Sequence, residues 1–136
     1  LGTRIVFPGY VATGELGALL GSSAGMVFPS LYEGFGMPVI EAMAAGVAVA
    51  CSNATSLPEI ATGAAILFDP RVPAQIATAM LELINDPARR AGLVAAGLGR
   101  AAEFGDAGRM AEEYRDAFRQ AMGRTVPGTD RGSPSA

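Results

Sequence analysis

A chain of 136 residues has room for one domain, and with half of its residues hydrophobic but only 7% aromatic, its core must be built mainly from Ala, Val, Leu and Ile. The net charge is −3, all ten basic residues are Arg, and none of them form a stripe that could follow a phosphate backbone, which argues against nucleic acid as a partner. A lone cysteine, Cys51, and the absence of histidine leave no internal disulfide and no Cys/His zinc spacing, and no apolar run approaches the roughly 18 residues of a membrane span.

A reducing, cytoplasmic compartment is therefore expected. The opening Leu1-Gly2-Thr3-Arg4 has neither an initiator Met nor a signal-peptide layout, so the chain reads as beginning inside a longer protein.

Arg4 to Phe7 is a short β-rich run closed by Pro8-Gly9 and predicts a strand. A helix should follow, with Thr13 as its N-cap, Glu15 in the first turn where the helix dipole favours an acid, and Leu16, Leu19 and Leu20 on one face. Gly25 to Phe28 predicts a second strand, ended by Pro29-Ser30 and leading into the glycine-bearing loop Glu33-Gly34-Phe35-Gly36. Pro38 suits the start of the next helix, because the N–H it lacks has no partner there, and Gly46 is its natural stop.

Val47 to Cys51 is continuously apolar, as a strand covered on both faces should be, and Ala65 to Phe68 repeats that character. Between them Leu57 to Ile60 predicts a short helix with Pro58 near its start and Gly63 at its end. Beyond Asp69-Pro70 the pattern is wholly helical. Ile76, Met80, Leu83 and Ile84 predict one buried side of a helix that Asp86-Pro87 ends, and two more helices follow, about Ala88 to Phe104 and Ala107 to Met122.

Residues 1–122 are thus expected to form one domain, and 123–136 a disordered tail rich in Gly, Pro and Ser. Four strands alternating with helices imply part of a doubly wound parallel α/β sheet, Rossmann-like, with ligands at the carboxyl ends of the strands. The terminal helices would cover one side of it or reach outward.

The loop from Phe28 to Met43 concentrates the chemistry. Gly34 and Gly36 let a backbone approach a ligand closely, and the N–H groups ahead of Pro38 stand at a helix N-terminus, which favours an anion such as pyrophosphate. Glu33 and Glu41 are acceptor-only groups suited to hydroxyls on either side of such an anion. The residues alone do not say which glutamate takes which hydroxyls, and they leave other anionic ligands open.

Other residues have plainer readings. Tyr32 and Phe35 are packing candidates, Cys51 is buried strand filler, and Ser56 and Glu59 are equally well explained as the cap and first turn of the short helix. Arg89, Arg90 and Arg100 lie at helical spacings among acids, as on a solvated face.

The stretch Phe28-Pro29-Ser30-Leu31-Tyr32-Glu33-Gly34-Phe35-Gly36-Met37-Pro38-Val39-Ile40-Glu41-Ala42-Met43 resembles the signature of the retaining GT-B glycosyltransferases of the large group that includes glycogen, sucrose and mannosyl transferases, the glycosyl transferases group 1. The resemblance extends to Phe7-Pro8-Gly9-Tyr10-Val11, Glu15-Leu16, Ala45 to Val49, Ser56 to Glu59 and Phe68-Asp69-Pro70.

It implies the C-terminal, donor-binding domain of the GT-B fold, with a nucleotide diphosphate sugar as donor substrate, no cofactor and no metal. It places Glu41 on the ribose hydroxyls and Glu33, the catalytic candidate, on the transferred sugar. The backbone of Gly34, Phe35, Gly36 and Met37 would hold the sugar and phosphates, with Tyr10 and Val11 at the base.

It also implies an N-terminal acceptor-binding domain that this chain lacks. The family's basic pair is not found ahead of Leu1, and the chain has no Lys and no His, so no transfer by the chain alone is expected. The alternatives are a module that binds nucleotide or nucleotide sugar without transfer, an inactive truncation, and a doubly wound epimerase.

Overall fold

The computed structural model describes residues 5–105. The chain divides into two units after Gly105, and all described residues belong to the first. The expected helix from Ala107 to Met122, the domain boundary at 122 and the tail 123–136 lie outside the described residues.

The elements run α1 (Thr13–Gly21), β1 (Met26–Phe28), α2 (Met37–Ala44), β2 (Val49–Ser52), α3 (Leu57–Ala61), β3 (Ala65–Phe68), α4 (Pro73–Asn85) and α5 (Pro87–Phe104). The three strands form a parallel sheet in the order β1-β2-β3, with Met26, Val49 and Ala65 in one row and Val27, Ala50 and Ile66 in the next. Every residue of β2 is buried.

Side chains alternate across a strand, so the rows divide the core in two. Val49 and Cys51, with Met26, Phe28 and Ala65, pack under Val39, Ile40 and Met43 of α2 and Leu57 and Ile60 of α3. Ala50 and Phe68, with Val27 and Ile66, pack against Ala79 and Leu83 of α4 and Leu93 of α5. Helices therefore cover both faces, as a parallel sheet requires.

α5 takes part in both cores, through Leu93 in one and Ala101 in the other. It packs tightly on α2 at Gly97, where a Cβ would stand 3.1 Å from Met43 Cγ.

Several expectations need correcting. Ile5 to Phe7 form no strand and are exposed, Phe7 at 89%, because an extended segment becomes a strand only beside a partner that takes its backbone hydrogen bonds. Three strands, not four, make the described sheet.

Thr13 is the first residue of α1 rather than its cap; Ala12 holds the N-cap position, without a side-chain bond. Leu20 packs on the core while Leu19 is exposed. On α4 the buried side is Ile76, Ala79 and Leu83, which leaves Met80 and Ile84 exposed. The hydrophobic stripe is wider than the contact, and the small Ala79 lets the helix settle close to the sheet.

Asp86 ends α4 and caps α5, its Oδ1 accepting from the Arg89 N–H at 2.8 Å. Arg90 is not merely solvated: its Nη1 donates to the Leu83 carbonyl at 2.8 Å and the Ile84 carbonyl at 3.3 Å, satisfying carbonyls that the end of α4 leaves unpaired. Arg89 pairs with Glu82 on an exposed surface, an interaction worth little in water.

Cys51 is the buried filler expected, and burial pushes its thiol up from 9.0 to about 11. The folded chain holds this proton more tightly than the unfolded chain, so the thiol's contribution to stability is present in full below about pH 9 and is lost as pH rises toward 11. Cys51 is expected to resist thiol reagents at pH 8 until the chain unfolds. The unfolding midpoint should fall between pH 9 and 11 more steeply in wild type than in Cys51→Ala; equal slopes in the two chains would show that the thiol is not responsible.

Candidate functional site

β1 and β2 run parallel, so the loops that follow them, 29–36 and 53–56, emerge on the same rim of the sheet. They are tied together there. Glu33 donates its backbone N–H to Thr55 Oγ1 at 3.1 Å, and its carbonyl accepts from Ser56 Oγ at 3.1 Å. Ser30 Oγ lies 3.0 Å from the Tyr32 carbonyl and 3.4 Å from Glu33 Oε2, its single proton facing both acceptors.

Gly36 is the N-cap of α2, at φ 93° and ψ 35°, and its carbonyl takes the N–H groups of Val39 and Ile40 at 3.0 and 3.4 Å. A Cβ added there would stand 2.7 Å from Leu57 Cδ2. Gly36 is thus required by the chain itself, for its left-handed backbone and for the close approach of α3. Gly34 is different: nothing lies within 4 Å of where its side chain would begin, so this backbone is open to the outside.

Among the described residues no protein acceptor takes the N–H of Phe35, Gly36 or Met37. These donors stand at the positive end of the α2 dipole.

Val39, Ile40, Ala42 and Met43 bury the inner side of α2, which leaves Met37, Glu41 and Ala44 on the outer one. Glu41 therefore follows Met37 by one turn on the same face. It is exposed, and its carboxylate has no hydrogen-bond or ion-pair partner among the described residues. Glu33 is half-buried and likewise has no cationic partner there.

The structure joins Glu33, Gly34, Phe35, Gly36, Met37 and Glu41 into one loop and helix start. It does not tie Tyr10 and Val11 to them by any hydrogen bond or ring contact among the described residues; Tyr10 is 93% exposed on the segment before α1, and Val11 is half-buried.

Three features were not apparent in the sequence. Thr55 holds a left-handed backbone, φ 53°, which is costly for a β-branched residue, while its hydroxyl bonds Glu33. Ser56 occupies the N-cap position of α3 but makes no cap bond; its hydroxyl goes to the Glu33 loop instead.

The third is Arg100, read from spacing as a solvated residue. Its Nε donates to the Ile60 carbonyl and its Nη2 to the Glu59 carbonyl, both at 2.9 Å, and it pairs with Glu103. Its guanidinium lies 4.6 Å from the ring centroid of Phe104. Phe104 in turn meets Phe35 edge to face, centroids 5.8 Å apart. Phe35 is 46% exposed and outside both cores, its ring packed only edge-on against Phe104, and Tyr32 is 83% exposed. A signal for Arg100 existed only in its i, i+4 spacing to Phe104.

Residues 1–99 match the family described as glycosyl transferases group 1. The chain is 42% identical over 106 residues to O-antigen chain mannosyltransferase B of Escherichia coli, covering 76% of this chain and 28% of that protein. It is 38% identical over 106 residues to D-inositol 3-phosphate glycosyltransferase of Thermobispora bispora, covering 74% and 24%. Among solved structures, sucrose-phosphate synthase from Thermosynechococcus elongatus superposes with a TM-score of 0.75 at 29% identity, over 88% of this chain and 31% of that one. The chain thus spans about a quarter to a third of the length of these three proteins.

Gly36→Ala is expected to cost about 1–2 kcal/mol of stability through its left-handed backbone alone, with Leu57 forced to shift as well. Gly34→Ala, at an open position without positive φ, should cost much less. Chemical denaturation of the two variants checks the order; a Gly34 variant as destabilised as the Gly36 variant would contradict it.

Proposed function

The chain belongs to the glycosyl transferases group 1, and on that premise we propose that it is the donor-binding part of a retaining glycosyltransferase that moves a hexose from a nucleotide diphosphate sugar to an acceptor. The observation that carries the reading is the start of α2: three N–H donors without a protein acceptor, flanked by two carboxylates, Glu33 and Glu41, without a cationic partner among the described residues. Such donors suit a diphosphate, and the carboxylates suit the hydroxyls at its two ends.

In this reading the N–H groups of Phe35, Gly36 and Met37 receive the diphosphate and stabilise the negative charge that grows on it as the sugar departs. Glu41 accepts from the ribose hydroxyls and Glu33 from the transferred sugar, with Tyr10 and Val11 at the base. The mannosyltransferase name of the 42% identical relative supports a hexose as the transferred group. No metal or cofactor is assigned a part.

The chain contains no His and no Lys, and the guanidinium of Arg100 is committed to the carbonyls of Glu59 and Ile60. The basic groups for the diphosphate are accordingly assigned to an earlier part of the donor-binding domain, and the acceptor side of the reaction to an acceptor-binding domain, both outside these 136 residues. No helix among the described residues is long and apolar enough to cross a membrane.

Titration calorimetry with UDP, GDP and ADP, and with their sugar conjugates, tests the reading. Glu41→Ala is expected to weaken the nucleotide diphosphates by roughly 1.5 to 3 kcal/mol, the worth of a hydrogen bond to a charged group; unchanged affinity for all three would remove Glu41 from the ribose.

Glu33→Gln should leave the free nucleotide diphosphate nearly unaffected and weaken the sugar conjugate. Equal loss for both ligands would mean that the two glutamates have exchanged roles. The 136-residue chain alone should bind donor without transferring sugar, and turnover by the purified chain would contradict the assignment of the acceptor side to another domain.

A further inference from the structure

We propose that Arg100 and Phe104, at the carboxyl end of α5, are positioning residues that hold the donor loop in its binding geometry. The contacts form a closed circuit. On one side α3 holds the loop through Ser56 Oγ on the Glu33 carbonyl and through Leu57 packed against Gly36. On the other side the Phe35 ring rests edge-on against Phe104, with an interplanar angle of 89°. Arg100 closes the circuit, stacking over Phe104 while its guanidinium grips the Glu59 and Ile60 carbonyls at the far end of the same α3.

Phe35 is 46% exposed, so the core does not lock its ring; the edge contact with Phe104 does. The Phe35 N–H is one of the donors without a protein acceptor, and a held ring restrains the loop backbone that carries it. A loop held before the ligand arrives loses less conformational entropy on binding than one that must be ordered by it. The guanidinium suits this place because its planar fork can take two carbonyls while its face covers a ring, which an ammonium cannot do.

The inference rests on the reading of residues 33–37 as the diphosphate site, and its test separates the two. Calorimetry of the full 136-residue chain with UDP, GDP and ADP is paired with chemical unfolding for Phe35→Leu, Phe104→Leu, the double variant, Phe104→Tyr and Arg100→Lys. Phe104→Leu is expected to weaken the best-bound nucleotide diphosphate about three- to tenfold, the range of an aromatic pair. The double variant should bind no more weakly than Phe35→Leu, because Phe104 acts through Phe35, and Phe104→Tyr should restore binding.

Arg100→Lys, which keeps the charge and loses the fork, should weaken binding as well, and it carries the test if Phe104→Leu does not fold. Variants that lower the unfolding midpoint yet bind like wild type would overturn the inference and leave the donor site standing. Additive losses in the double variant would overturn it too. A wild-type chain that binds none of the three nucleotides would bring down both.

Discussion

The structure depends on the burial of β2 on both faces and its pairing on both edges. Val49, Ala50 and Cys51 are fully buried, so each backbone N–H and C=O along the strand must find a partner within the protein. β1 and β3 supply those partners in parallel register. Parallel pairing then requires that the connections cross back over the sheet, and α2 and α3 do so on the face of Val49 and Cys51. The same pairing sets the loops after β1 and β2 on one rim, which is the precondition for a site made of both.

At that rim the two loops meet through polar contacts more than through packing. Thr55 and Ser56 hold the backbone of Glu33 from the β2 side, while Gly36 turns the chain into α2 and admits Leu57 beside it. The cost of the left-handed backbone at Thr55 is offset by these contacts. What results is a backbone whose N–H donors have no protein acceptor among the described residues, with Glu33 before them and Glu41 after them in the chain.

Two of the three arginines of α5 share a task that their charges alone do not suggest. Arg90 closes the carbonyl end of α4 and Arg100 that of α3. Each replaces a missing turn of helix with guanidinium donors, and each thereby joins α5 to a neighbour. Since α5 packs in both cores, these two residues fix the helix across the edge of the sheet, and Phe104 carries that order to Phe35.

The sequence by itself determined the alternation of strands and helices from Gly25 to Phe104, the buried character of β2, the helix starts beside Pro38 and Pro58, and the glycine loop with its two glutamates. These are local matters: apolar periodicity, proline without an N–H, and glycine at a turn are decided by residues near one another in the chain. The motif's family was legible for the same reason, because Glu33 to Glu41 lie within nine consecutive residues.

Only the tertiary structure decided the rest. Ile5 to Phe7 have strand propensity, but pairing needs a partner that no local pattern supplies. The width of the apolar stripe on α4 did not tell which part of it touches the sheet. Ser56 looked like a helix cap and Arg100 like a solvated charge, because a side chain's hydrogen bond is directed by whichever group the fold brings within bonding reach. For Arg100 those groups lie about forty residues away along the chain, and only the packing of α5 against α2 brings them within reach.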